Sequence, residues 1–296
     1  MTTPAVAPWV PTYATYASYV TVEDFLAEPT GVDTTQLVPG GDPATNKAAL
    51  ARVIARASSQ ADTICLQVLG ATVDVTAGVF RVQRGGWIGI PAPYTPLIQV
   101  NSVLVGSGPA SLSPVPDLSG VRFEQKVAWV PIGGVSPSPP GGLCVPGRPG
   151  WVYAQMAYVN GHANTLTSSS SLAGVSSLPV ANPLGIFPGL PMTVYDSAST
   201  EPVTVASSYV LGSSTVPLAA PTSFAHAAGV SVSALPPFVR DAVFLLTASL
   251  IKVRGAEAFT MDAVLEQPGR TQQIDPGGTT EFNDAKALLA PLVRVR

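Results

Sequence analysis

Two hydrophobic rhythms divide the chain. The densest helical rhythm lies in Pro236–Gly255, PPFVRDAVFLLTASLIKVRG, where Phe238, Val239, Ala242, Val243, Leu245, Leu246, Leu250, Ile251 and Val253 leave a narrow polar strip through Arg240, Asp241, Thr247 and Ser249. A surface helix carries one apolar stripe; this one is apolar on most sides and is expected to be buried on most sides. Its paired prolines suit a first turn, and Lys252, Arg254 and Gly255 suit a C-terminus. Its unbroken apolar run is about half the ~20 residues a membrane span needs. From Pro43 to about Leu69 the same period returns in amphipathic form. Leu50, Val53, Ile54, Ala57, Ala61, Ile64, Cys65, Val68 and Leu69 share one face, Asp42 and Pro43 mark the start, and Gly70 is the expected stop. A shorter helix begins at the capping-box-like Thr21-Val22-Glu23-Asp24 and must end before Pro29. Another starts at Thr280, carries Ala285, Leu288 and Leu289, and closes at Pro291. Between the late helices, 261–278 reads as a loop.

From Val79 the period changes to two. Phe80–Arg84, the turn Gly85-Gly86 and Trp87–Ile90 predict a β-hairpin. Leu97–Val105, Val121–Val130 and Trp151–Val159 follow as strand candidates, separated by the Pro/Gly-rich stretch 131–150, which excludes helix and central strand. Met192–Tyr195, Pro202–Val210, Thr215–Leu218 and Gly229–Ser233 are shorter strands at the spacing of a small sandwich or barrel. The serine run Ser168–Ser171 reads as a solvated loop. The predicted fold class is therefore α+β: a small helical bundle built from both chain ends, with an inserted all-β, sandwich- or barrel-like region. The domain boundaries follow as 1–78 (N-terminal arm and helices), 79–234 (β insertion) and 235–296 (C-terminal helices and tail).

Composition narrows the function classes. Of 296 residues only 11 % are charged, where about 25 % is usual, and 27 glycines and 30 prolines demand many turns. With 15 Lys and Arg against 18 Asp and Glu, the chain lacks the basic face that grips DNA phosphates. The segment 1–20 lacks the pattern of a signal peptide and is expected to be an arm, and the chain reads as a cytosolic product. Cys65 and Cys144 are too few for a zinc site or a secreted scaffold, although a bridge between them is conceivable. His162 and His226 lie in turn-like stretches without metal spacing. Asp196 and Glu201 bracket Ser197–Thr200, two carboxylates able to meet across a hairpin but too few to hold calcium. Gly106-Ser107-Gly108 lacks the context of a phosphate loop, and no nucleophile elbow is present. Trp87, Trp129, Trp151 and Tyr153 would suit a sugar platform, yet aromatic residues in strands more often fill a core. The expectation is a protein without catalysis, cofactor or metal.

The helical blocks resemble the head-to-tail adaptor (connector, or head-completion) proteins of long-tailed bacteriophages. The resemblance lies in the short helix Thr21–Ala27, the long helix Pro43–Leu69 ending just before Val79–Arg84, the late block LPPFVRDAVFLLTASLIKVRG, and the closing Leu288–Arg296, LLAPLVRVR. The middle blocks Pro188–Asp196, Glu201–Val205 and Ala225–Val232 look like the extended members found in phages of actinobacteria. This resemblance implies a structural virion protein of the neck, present in the host cytoplasm during assembly. It implies a homo-oligomeric, 12-fold ring beneath the portal protein, extending the DNA channel without specific binding, and docking a stopper or tail protein, with the major capsid protein as a further candidate partner. It also implies that the tail Leu292, Val293, Arg294, Val295 and Arg296 docks on the portal, its alternation suiting an added strand. Neighbouring subunits would then cover the apolar faces of the late helix. The alternative from the residues is a β-rich module that binds a glycan or capsid surface, mounted on a helical base.

Overall fold

The computed structural model describes residues 18–124, 126–132, 145, 148, 150–266 and 280–294, with side chains of the late helix described to Lys252. It is an α+β chain. Contacts divide the described residues into two units, one within Ala71–Gly161, the other within Ala17–Gly70 and His162–Arg296. This division differs from the boundaries read from sequence: residues 162–234 share a unit with the helices, and the sheet begins at residue 72 rather than 79.

In the first unit, β1 (Thr72–Gln83), β2 (Trp87–Pro91), β3 (Leu97–Gly106), β4 (Ser113–Pro114), β5 (Arg122–Glu124), β6 (Val127–Pro131) and β7 (Trp151–Asn160) form one antiparallel sheet in the order β4-β3-β7-β1-β2-β6-β5. The expected hairpin is present, with Gln83 opposite Trp87 and both Gly85 and Gly86 at positive φ, as a two-strand turn of this kind requires. The single strand expected over Val121–Val130 is instead two, β5 folding back on β6 with Glu124 opposite Val127. Period-two alternation continues through such a tight reversal, so the pattern hides it. One face of the sheet buries Ile88, Ile90, Val103, Val105, Ala128, Val130, Val152, Ala154, Met156 and Tyr158 in a common core. Fully burying side chains of this kind contributes about 1.5–3 kcal/mol each before chain entropy is set against it.

In the second unit, α1 (Val22–Ala27) opens on the expected capping box: the Asp24 amide donates to Thr21 Oγ1 at 3.1 Å and the Thr21 amide to Asp24 Oδ2 at 3.0 Å. α2 (Pro43–Cys65) starts on Asp42, whose carboxylate accepts from the Thr45 amide at 2.7 Å. It stops at Leu66 in the left-handed region, before the expected Gly70, because Asp62 takes over the chain. Asp62 Oδ1 accepts from the Leu69 amide at 3.0 Å and from the Tyr19 hydroxyl at 2.6 Å. Tyr19 and Val20 are accordingly core residues and not part of an arm; the rest of that arm, 1–17, lies outside the described residues.

β8 (Asn164–Leu166), β9 (Ser177–Pro179), β10 (Pro191–Tyr195), β11 (Glu201–Thr204), β12 (Thr215–Pro217) and β13 (Ser231–Ser233) form a four-stranded sheet, β11-β10-β13-β8, and a two-stranded one, β12-β9. Leu178 and Val216 from the small sheet meet Met192, Val194, Val203 and Val232 from the larger in one core. The helices α3 (Pro237–Glu266) and α4 (Thr280–Leu289) complete the unit; α3 packs on both α2 and α4, and Phe244 meets Phe25 of α1 at 6.1 Å between ring centroids. α3 runs past Gly255 and through part of the expected loop, since one glycine costs only about 1 kcal/mol against the Ala, Glu, Met and Leu that follow. From Phe238 to Ile251 every side chain except Asp241 is buried or half-buried within the single chain. The expectation that sister copies are needed to cover this part of the helix is therefore overturned: α1, α2, α4, β10 and β13 of its own unit pack on it already.

Candidate functional site

Strand alternation places Trp87, Trp129, Trp151 and Tyr153 on the sheet face opposite the core, because Ile88, Ala128, Val130, Val152 and Ala154 point the other way. Pairing brings them onto one surface. Trp151 stands opposite Arg81, Tyr153 opposite Val79, Trp87 opposite Gln83, and Trp129 opposite Gly89 on one side and Arg122 on the other. All four rings are half-buried, not core as expected, while Arg81, Gln83 and Arg122 are exposed. Gly89 makes room for the Trp129 ring: a Cβ there would meet Trp129 Cζ3 at 3.0 Å and Cη2 at 3.1 Å. The Trp129 indole donates to Glu124 Oε2 at 2.8 Å, and the Arg122 guanidinium lies 5.3 Å from the Trp87 ring centroid. Three of the chain's four tryptophans thus share one outward surface.

The second cluster joins residues that sequence reading kept apart. Asp196 and Glu201, the two expected carboxylates, do not face each other across an open turn; both point at His226. Nδ1 lies 3.1 Å from Asp196 Oδ2 and Nε2 lies 2.7 Å from Glu201 Oε1, with the imidazole fully buried. Glu201 also accepts the Ser223 amide at 2.7 Å and the Phe224 amide at 3.2 Å. Burial opposes its ionisation, but the Ser223 amide, the His226 ring and the Phe224 amide outweigh burial and hold the carboxyl below its usual value. Both ring nitrogens of His226 face carboxylates, so neither is aimed at a hydroxyl. The cluster works as a clamp, fixing the 222–226 loop to the β10–β11 turn. Among the described residues no group of three or more His, Cys, Asp or Glu is placed to hold a metal ion. His162 is half-buried, and burial lowers its pKa.

Arg240, read as part of a polar strip, is instead a buried junction. Its Nη1 donates to the Tyr19 carbonyl at 2.8 Å and to Ser231 Oγ at 3.2 Å, its Nη2 to Asp24 Oδ2 at 2.8 Å, and the guanidinium lies 3.6 Å from the Tyr195 ring centroid. It ties α1, β10, β13 and α3 together. The signal in the sequence was an arginine on an otherwise apolar helix, which needs fixed acceptors to be buried.

Of the tail Leu292–Arg296, residues 292–294 are described. Ala290–Leu292 is a 3₁₀ turn, and the Arg294 amide donates to the Cys65 carbonyl at 3.1 Å, seating the tail on the end of α2. Val293 is 38 % exposed; Val295 and Arg296 lie outside the described residues. Cys65 is buried, and burial, reinforced by Asp62, pushes its thiol up to about 11. Cys144, its conceivable bridge partner, lies outside the described residues. Among the described residues no helix is long and apolar enough to cross a membrane.

No family model and no curated protein matches the chain. Among solved structures, a chain from the neck of an empty GTA particle computed with C6 symmetry is similar over 94 % of this chain and 95 % of that one, with 15 % identity and a TM-score of 0.32. Likeness of that order is loose in both sequence and backbone.

Proposed function

We propose that the protein is a structural component of a virion neck: a head-to-tail adaptor without catalysis, assembling as a ring beneath a portal protein and docking the next stopper or tail protein. The observation that carries this reading is the union of the chain ends. The blocks that resemble the adaptor family, α1 and α2 early and α3 and α4 late, pack in one unit with the tail seated on α2. The low charge supports a channel through which DNA slides without being held. Since α3 is covered by its own chain to Ile251, ring contacts fall on other surfaces, with the half-exposed tail among them.

Electron microscopy of the purified protein, alone and with the portal, tests the reading. Rings stacked on the portal are expected; a chain that stays monomeric and never joins the portal refutes it. Deleting Leu292–Arg296 is expected to abolish joining. Because Leu292 and Arg294 also bond the unit itself, helical circular dichroism must show the deletion variant folded for that result to count. A folded deletion variant that joins normally removes the tail from the docking surface.

A further inference from the structure

We propose that the outward face of the sheet in the first unit is a carbohydrate-binding surface for a neutral hexopyranose chain, a function beyond the neck role and independent of it. A sugar ring needs two things at once: a flat aromatic surface for its C–H face, and donors and acceptors at its edge for its hydroxyls. The negative face of an indole attracts the weakly positive C–H groups. Trp87 and Trp129 are diagonal neighbours on β2 and β6, about 7–8 Å apart by sheet geometry. Trp151 continues the surface across β1, with Arg81 opposite it. Arg81, Gln83 and Gln155 are the polar groups beside the rings, while Arg122 lies over the Trp87 ring and Glu124 accepts from the Trp129 indole.

Competing ligands fit less well. The outward positions of β1, β2, β6 and β7 hold no Leu, Ile, Met or Phe; their aliphatic side chains are small, the exposed Val79 opposite Tyr153 among them. A protein partner would find only small aliphatic groups there and would have to desolvate the interleaved Arg and Gln heads. Hydroxyls of a sugar satisfy those heads directly. A nucleic acid strand needs a row of cations; this face offers Arg81 and Arg122, with Glu124 beside them and Arg122 already over Trp87. The Trp129 indole is held by Glu124 and its ring is seated over Gly89, so it is ordered before any ligand arrives.

The test is titration of the full chain with cellohexaose, chitohexaose, laminarihexaose and a thymidine oligonucleotide, read by tryptophan fluorescence and calorimetry. At least one oligosaccharide is expected to bind at micromolar to millimolar concentration and shift the emission. Trp87→Ala and Trp129→Ala should each weaken binding about tenfold or more. Arg81→Ala and Gln83→Ala, at exposed positions with little risk to folding, should weaken it severalfold, whereas Phe224→Ala in the other unit should leave it unchanged. No binding by any oligosaccharide overturns the proposal, as does binding indifferent to all four variants or binding of the oligonucleotide alone. Concentration-dependent self-association abolished by Trp87→Ala also overturns it, in favour of a second copy as occupant. Failure here leaves portal joining untouched, and failure of joining leaves sugar binding untouched.

Discussion

Replacing Arg240 by Met removes the junction of the second unit while keeping most of the side-chain volume. The arginine side chain is 4 % exposed and its partner Asp24 9 %, so solvent cannot take over either role. The variant strips a donor from the Tyr19 carbonyl and Ser231, and a cation from Asp24 and the Tyr195 ring. Asp24 keeps its bond from the Thr21 amide, which softens the loss. Breaking a buried pair by removing one partner costs about 3–5 kcal/mol. For a unit of this size each kcal/mol is worth about 2–4 °C, so the expected fall in Tm is roughly 6–20 °C. The described helices all lie in this unit and the described tryptophans in the other. Helical circular dichroism on heating or in urea is therefore the signal that should move. Arg240→Lys should recover only part of the loss, since an ammonium cannot serve three acceptors and a ring at once. A double-mutant cycle with Asp24→Asn should give a coupling of about 0.5–3 kcal/mol. A helical transition that moves by less than about 2 °C in Arg240→Met would sink the assignment of a junction.

Three further outcomes are expected. Glu201 has a depressed folded-state value, so it stabilises the second unit above the ordinary carboxylate range, and that contribution is lost as pH falls through the folded value; Glu201→Gln should lower stability at neutral pH and flatten the acid limb of a urea-midpoint profile. Gly106→Ala puts a Cβ 2.2 Å from the Ser111 carbonyl oxygen, a backbone atom that cannot step aside, and should cost the first unit at least about 1–3 kcal/mol by tryptophan-monitored unfolding; Gly89→Ala, which meets the Trp129 ring and Val127, should cost less and alter the emission spectrum. Cys65, buried with its thiol near 11, should resist a thiol reagent in a Cys144→Ser background until the second unit unfolds, and rapid native labelling would contradict its placement.

The elements written in local chemistry were legible from the chain alone. The Thr21 capping box, the Asp42-Pro43 start, the Gly85-Gly86 hairpin and the strands around Leu97, Trp151 and Met192 each depend on a few neighbouring residues and on period, and each stands where the pattern put it. Everything that depends on a partner far along the chain was not legible. α2 ends early because Tyr19 and Leu69 meet Asp62, and Arg294 docks at the end of α2 because Cys65 offers its amide a carbonyl. His226 acquires two carboxylates from a turn some 25–30 residues away, and Arg240 acquires acceptors more than 200 residues away. The tryptophans show the division most plainly. Alternation says that such residues share a face, but whether that face is core or surface depends on which side the rest of the unit packs, and only the tertiary structure decides it. The same holds for α3: its apolar circumference is sequence, while the walls that close around it are supplied by folding.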